Sequence, residues 1–253
     1  MSPARLLFTT HVAPYADGPA GVHAVLPQAA TAMAELAGRR RLEAVLTTDV
    51  TSLDPAVLAD GGVLALFTIG ETPWSDAQRT ALLEAVRAGR TAVLGVHSAT
   101  DASRAWPEYG RLLGARFDGH PWTATVALDV DTGHPATAHL PARWEWHDEV
   151  YLFADLRPDA RVLLRVAEGQ LDMTVPDARR PACGFPLAWC FEEGRGRCFY
   201  SALGHFPHAW EQPDYLRHLD GALGWLLEGL TSVTGSGTES GTVVQVEPGR
   251  RAG

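Results

Sequence analysis

Four short stretches hold the residues with which this chain could do chemistry. The first is Gly95-Val96-His97-Ser98-Ala99-Thr100-Asp101. An apolar run ends in a histidine flanked by small residues, and a helical pattern follows. This is the layout of a nucleophile elbow, a sharp turn that lifts one side chain to the carboxyl edge of a sheet. A hydrolase puts Ser or Cys there. His97 can instead be a base, an acid or a metal ligand, and a helix N-terminus beside it favours the neutral ring. The second stretch is Gly119-His120-Pro121-Trp122. A residue before proline is held extended, which aims the His120 side chain. The third is Trp144-Glu145-Trp146-His147-Asp148-Glu149-Val150-Tyr151. On a strand, Glu145, His147 and Glu149 share one face, and Trp144, Trp146 and Asp148 share the other. Polar groups on both faces suit either an active-site edge or a solvated edge strand. The fourth, from Gly194 to His205, is a glycine turn feeding a strand that ends in Gly204-His205. It again delivers a histidine beside a glycine. Each histidine also has a structural reading, as a ring satisfied at a turn or loop.

The elements that position these side chains alternate between two periods. Residues 5–9, 42–46, 63–67 and 91–95 are short apolar runs, read as buried strands. Between them, residues 19–36 show an apolar face at spacings of three and four, stopped by Gly38. Ser75 caps a second helix with the stripe Ala77, Leu82, Leu83 and Val86, ending at Gly89. Continuous apolar strands alternating with helices predict a parallel sheet covered on both faces. Beyond residue 100 the pattern turns to strands at 123–130, 144–152, 161–167, 187–192 and 197–202. Helices are confined to about 103–113 and 214–228. Long loops are expected at 131–143 and 168–186. Residues 231–253 are dominated by Gly, Ser and Thr and read as a disordered tail.

Composition removes several functions. Lys plus Arg is 21 and Asp plus Glu is 30, a net charge of −9. A nucleic-acid binder needs a basic face, so no nucleic-acid partner is expected. There is no lysine, which excludes Schiff-base chemistry, a pyridoxal phosphate anchor and a Walker-type nucleotide loop. There is no asparagine, so no N-glycosylation sequon exists. Cys183, Cys190 and Cys198 are odd in number and lack a CxxC spacing, which predicts reduced thiols. The first residues form no signal-peptide core, and no apolar run nears 18 residues. A cytoplasmic protein with no membrane partner is the expectation, and a homodimer is possible on general frequency alone.

In order and spacing, the four stretches together resemble the ThuA-like (trehalose-utilisation) family of the class I glutamine-amidotransferase-like fold. The matching runs are GVHSATD at 95–101, Trp106-Pro107-Glu108-Tyr109, LLGARFDGHP at 112–121 and GHPAT at 133–137. HDEVYLF at 147–153, PLAW at 186–189 and GRGRCFYSALGH at 194–205 follow. The resemblance covers about residues 4 to 230. It implies a flavodoxin-like three-layer α/β sandwich with a mostly parallel sheet and a β-rich C-terminal extension, over a domain at 1–230. It implies a polar set at His97, Asp101, His120, Asp148, Glu149 and His205, and a link to trehalose and keto-disaccharide metabolism. Amidotransferase activity is not implied, because the elbow holds His97 where those enzymes use Cys. Two stretches depart from the family. Tyr15 and Ala16 stand where members often carry an Arg-His pair, with His11 nearby. Phe185 stands where a His often precedes the Pro-x-x-Trp motif.

Two expectations follow. The chain is an enzyme acting on a sugar-derived molecule by hydrolysis, elimination or isomerisation. His97, His120, His205 and Glu149 then bind a divalent transition metal, zinc first among them. Without a metal, His97, Asp101, Asp148 and Glu149 carry acid–base chemistry. Trp122, Trp106 and Tyr15 are the candidate substrate-binding residues, because aromatic faces stack on sugars. The alternative is a non-catalytic carbohydrate-binding or regulatory domain in which the histidines are remnants.

Overall fold

The computed structural model describes residues 4–13 and 24–231, and the backbone of 243–245. In chain order the elements are β1 (Arg5–Thr9), α1 (Leu26–Arg39), β2 (Glu43–Thr47), α2 (Pro55–Ala59), β3 (Gly62–Leu66) and α3 (Asp76–Arg87). Then come β4 (Thr91–Val96), α4 (Pro107–Leu113), β5 (Arg116–Phe117), β6 (Trp122–Val130) and β7 (Arg143–Val150). The chain continues through β8 (Phe153–Ala154), β9 (Arg161–Val166), β10 (Pro186–Glu193), β11 (Gly196–Ser201), α5 (Pro213–Glu228) and β12 (Val243–Gln245).

The helices form where the apolar spacing predicts. In α1, Ala29, Ala32, Met33, Leu36 and Ala37 are buried at spacings of three and four, one helix face. Pro27 sits in its first turn, where a missing N–H costs nothing. The helix starts at Leu26, later than the Pro19 expected from the pattern, and residues 14–23 lie outside the described part. Ser75 caps α3 in a complete capping box with Gln78. The Gln78 amide also donates to Val50 O and Leu53 O at 2.7 Å each.

Ten strands form one sheet in the order β12-β2-β1-β3-β4-β11-β10-β9-β6-β7. Neighbours from β12 to β11 pair in parallel, and the pairs from β11 to β7 are antiparallel. Every residue of β3 and β4 is buried, so the parallel part is covered on both faces. Helices α1 and α5 pack together over one part, while α3 and α4 lie against β4 and β11. The β-rich second half is therefore an extension of the same sheet, joined through β11. That junction matters for function: β11 lies beside β4, so the strand ends bearing His97 and His205 are neighbours.

All three cysteines are free thiols. Burial pushes the thiols of Cys183, Cys190 and Cys198 up in pKa, Cys190 to about 11. No helix among the described residues is long and apolar enough to cross a membrane. Of the stretch read as a disordered tail, Thr231 and β12 are described. β12 pairs in parallel with β2 at the sheet edge, and the remainder of 231–253 lies outside the described residues.

Candidate functional site

β4 ends at Val96, and His97 follows with φ of +46°. A left-handed backbone at a non-glycine residue costs of order 1–3 kcal/mol, and such strain gathers at functional sites. The elbow expected from the sequence is present, although a 3₁₀ turn at His97–Asp101 follows the strand and α4 begins only at Pro107. The turn is braced from β11. The Tyr200 hydroxyl donates to His97 O at 2.5 Å and accepts from Thr100 Oγ1 at 3.0 Å. Gly95 makes room for this brace: a Cβ there would lie 2.7 Å from Leu113 Cδ2 and 2.8 Å from Tyr200 Cδ2.

The buried His97 ring has its Nδ1 2.7 Å from Ala202 O. A carbonyl only accepts, so Nδ1 carries the proton and the Nε2 lone pair faces the site. Three groups gather there: Tyr151 Oη at 2.8 Å, His205 Nδ1 at 3.1 Å and Glu149 Oε2 at 3.5 Å. His205 is delivered by Gly204, whose φ is +116° and whose absent Cβ would lie 2.5 Å from Tyr215 Oη. Gly204 N donates to Asp148 Oδ2 at 2.8 Å, and Gly204 O accepts from Trp210 Nε1 at 2.9 Å.

Glu149 stands near the end of β7, opposite Thr123 of β6. Its Oε2 is 3.4 Å from His205 Nδ1, and its Oε1 is 3.7 Å from His120 Nδ1. Burial pushes this carboxyl up, but a hydrogen bond from His97 and the charges of His97, His205 and His120, which these rings supply when protonated, outweigh it and lower the group to about 2. His205 is pushed below its ordinary value by burial, which the attraction of Glu149 opposes. Glu149 is an ionised carboxylate in a shielded cage of imidazoles.

The donor set suits a metal. Ligand atoms bound tetrahedrally at about 2.1 Å lie about 3.4 Å apart. The three edges between His97 Nε2, His205 Nδ1 and Glu149 Oε2 are 3.1, 3.5 and 3.4 Å. Two imidazoles and one carboxylate are a known donor set for catalytic zinc and for non-haem iron. The His97 Nδ1–H to carbonyl bond is the usual outer-shell anchor of a metal-binding histidine. One group competes: the Tyr151 hydroxyl donates to the same Nε2 lone pair.

Other expectations are corrected. His120 faces the second oxygen of Glu149 and is not part of the described three-donor cluster. Asp148 is on the core face of β7. It accepts from Trp146 Nε1 at 3.0 Å, Glu149 N at 2.9 Å and Gly204 N at 2.8 Å. Those three bonds engage both of its oxygens and make it a clamp between β7 and the His205 turn. Asp101 pairs with Arg104 at 2.7 Å and is not one of the three clustered donors. Trp106 is buried against Trp74 and Tyr109. Trp122 is buried edge-on to Phe185 and donates its Nε1 proton to Asp172 O at 2.7 Å. Tyr15 lies outside the described residues. Tyr151 is the site residue that sequence reasoning passed over. Its signal was the same two-residue spacing that joins His147 to Glu149.

A ThuA (trehalose utilisation) family profile matches residues 15–226. No curated protein matches the chain in sequence. Among solved structures, a ThuA-like protein from Bacteroides uniformis is similar with a TM-score of 0.71 at 22% identity, over 89% of this chain and 93% of that one. A ThuA-like protein from Parabacteroides merdae gives 0.69 at 17% identity, over 92% and 93%. A cytoplasmic protein from Salmonella typhimurium gives 0.56 at 13% identity, over 88% and 98%. At these identities the likeness speaks for the fold, and the family rests on the profile. It spans the strands and turns that carry His97, Glu149 and His205, and by that match the chain belongs to the ThuA family.

Proposed function

We propose that the chain is an enzyme acting on a carbonyl-bearing, sugar-derived small molecule, with Glu149 as general base. The observation that carries this is the position of Glu149, an ionised carboxylate ringed by His97, His205 and His120 at 3.4–3.7 Å. The family's description supplies the sugar. Glu149 takes a proton from the carbon next to the carbonyl. His205 or His120 returns it, to the neighbouring carbon in an isomerisation or to the departing group in an elimination. His97, His205 and Glu149 would hold a divalent metal, which would supply Lewis acidity toward a carbonyl oxygen or water. Glu149 would then be a ligand, leaving His120 for proton transfer.

Two measurements test the proposal. Elemental analysis after reconstitution with zinc or iron separates the two forms: near-stoichiometric metal, lost in His97→Ala and Glu149→Gln, selects the metal form in which Glu149 is a ligand, and no metal leaves Glu149 as the general base. A panel of keto-sugars should be consumed by the natural chain and not by Glu149→Gln. Metal-free protein that still consumes a keto-sugar selects the purely acid–base form. A panel left untouched by metal-loaded and metal-free protein alike overturns the enzyme reading and leaves a binding domain.

A further inference from the structure

Between β9 and β10 the chain runs without helix or strand, over most of the long loop expected at 168–186. The loop is nonetheless pinned. Trp122 Nε1 donates to Asp172 O at 2.7 Å, Ala127 N donates to Gln170 Oε1 at 3.2 Å, and Arg179 pairs with Asp118 at 2.6 Å. A long loop that carries no regular structure, yet is held in place, commonly has a function. Beside it, at the ends of β6 and β9, lies a cavity of about 350 Å³, within the roughly 300–1,000 Å³ of small-molecule sites. None of its lining residues belongs to the Glu149 site.

Four charged side chains line the cavity: Asp129, Arg165, Glu168 and Arg180. No ion pair joins any of them to another described residue. Asp129 and Arg165 stand directly opposite each other on β6 and β9, on one face of the ladder, where opposite charges ordinarily pair. The Arg165 guanidinium turns instead to Cys183 O, with Nη1 donating at 2.5 Å. Gly184 leaves it room: φ there is +70°, and a Cβ would lie 2.8 Å from Arg165 Nη1. The Arg180 guanidinium lies over the Phe185 ring, 5.2 Å from its centroid. Stacking engages the flat face of that group and leaves its N–H edge for a carboxylate. Phe185 and Met173 add an apolar wall, and Met173 is 40% exposed, the exposed large apolar side chain among the described residues.

A ligand that satisfies these walls carries a negative and a positive group close together on an apolar body. An anion alone would meet Asp129 and Glu168, and a cation alone would meet the two guanidiniums. We infer that the cavity binds a free apolar α-amino acid. Arg165 and Arg180 hold its carboxylate, Asp129 and Glu168 its ammonium, and Met173 and Phe185 its side chain. The site is separate from Glu149 and independent of the chemistry proposed there.

Isothermal titration calorimetry on the full chain tests this with L-leucine and L-phenylalanine as probes. Three reduced probes accompany them: glycine lacks the apolar body, 4-methylpentanoate lacks the ammonium of leucine, and 3-methylbutylamine lacks its carboxylate. At least one of the two amino acids should bind saturably, and each reduced probe at least about threefold more weakly, the scale of one lost charged or apolar contact. Arg180→Gln and Asp129→Asn should each weaken that amino acid about two- to fivefold, the scale of one partly exposed ion pair. The double variant should weaken it about tenfold. A thermal melt confirms that each variant is folded. No saturable signal from either amino acid up to about 10 mM overturns the inference. So does a reduced probe carrying one charge that binds as tightly as leucine, or undiminished binding in the folded double variant. Each of these outcomes leaves the Glu149 proposal standing.

Discussion

Replacing Asp148 by Asn removes a charge and one acceptor from the joint that holds His205 in place. The carboxylate accepts three hydrogen bonds, at 2.8, 2.9 and 3.0 Å. The amide has one acceptor oxygen. In its better orientation it keeps the bonds from Gly204 and Trp146 and turns its NH₂ toward Glu149 N–H. In the other it loses two bonds. A hydrogen bond to a charged group contributes about 1.5–3 kcal/mol. The two surviving bonds also weaken, and relief of the buried charge's desolvation offsets part of the loss. The expected destabilisation is about 2–4 kcal/mol. At about 2–4 °C per kcal/mol for a domain of this size, the melting temperature should fall by roughly 5–15 °C. Asp101→Asn is the control: its pair with Arg104 is partly exposed and worth at most about 1 kcal/mol. Differential scanning calorimetry near neutral pH reads both, and metal titration reads the loosening of His205. If Asp148→Asn melts within about 2 °C of the natural chain while Asp101→Asn does the same, Asp148 is no clamp and the argument fails.

The Tyr151 hydroxyl competes for the His97 Nε2 lone pair, so Tyr151→Phe should tighten zinc binding about two- to tenfold, the worth of one hydrogen bond. A chelator-competition titration checks this, and weaker binding would mean that Tyr151 is itself a ligand. Burial, chiefly, pushes His134 and His218 down to about 4 from 6.5. The unfolded chain therefore binds their protons first, so stability is lost as pH falls from 6.5 to 4, by about 3 kcal/mol for each ring. Urea midpoints at pH 7 and 4.5 should show a smaller gap in His218→Gln, and an unchanged gap would remove His218 from this account. Gly95→Ala pushes a methyl into Leu113 and Tyr200. Such overpacking costs about 1–3 kcal/mol, and it should lower metal affinity by shifting the Tyr200 brace on His97. A variant with natural stability and metal content would show that the space at Gly95 is unimportant.

Local order was open to sequence reading because it depends on local physics. The buried strands β3 and β4 are continuous apolar runs, α3 announces itself with Ser75 and its apolar stripe, and a histidine between small residues marks the elbow at His97. The two-residue period of β7 placed Glu149 and His147 on one face before any contact was known. What failed was the assignment of neighbours. Asp148 and Glu149 are adjacent in sequence and equally acidic, yet one faces a backbone clamp and the other the imidazoles. That difference comes from Gly204, which reaches Asp148 only after folding, beside Trp146 on the same face of β7. Trp106 and Trp122 look like sugar platforms by residue type, but folding buries both.

The sequence by itself determined the elements, the side-chain alternation and the chemical types available, because these follow from backbone sterics and apolar periodicity over a few residues. Only the tertiary structure decided which of those groups share a site. β11 enters the sheet beside β4 across about a hundred residues of chain. That long-range pairing sets the His97–His205 distance at 3.1 Å, and no local signal encodes a distance created by two strands meeting.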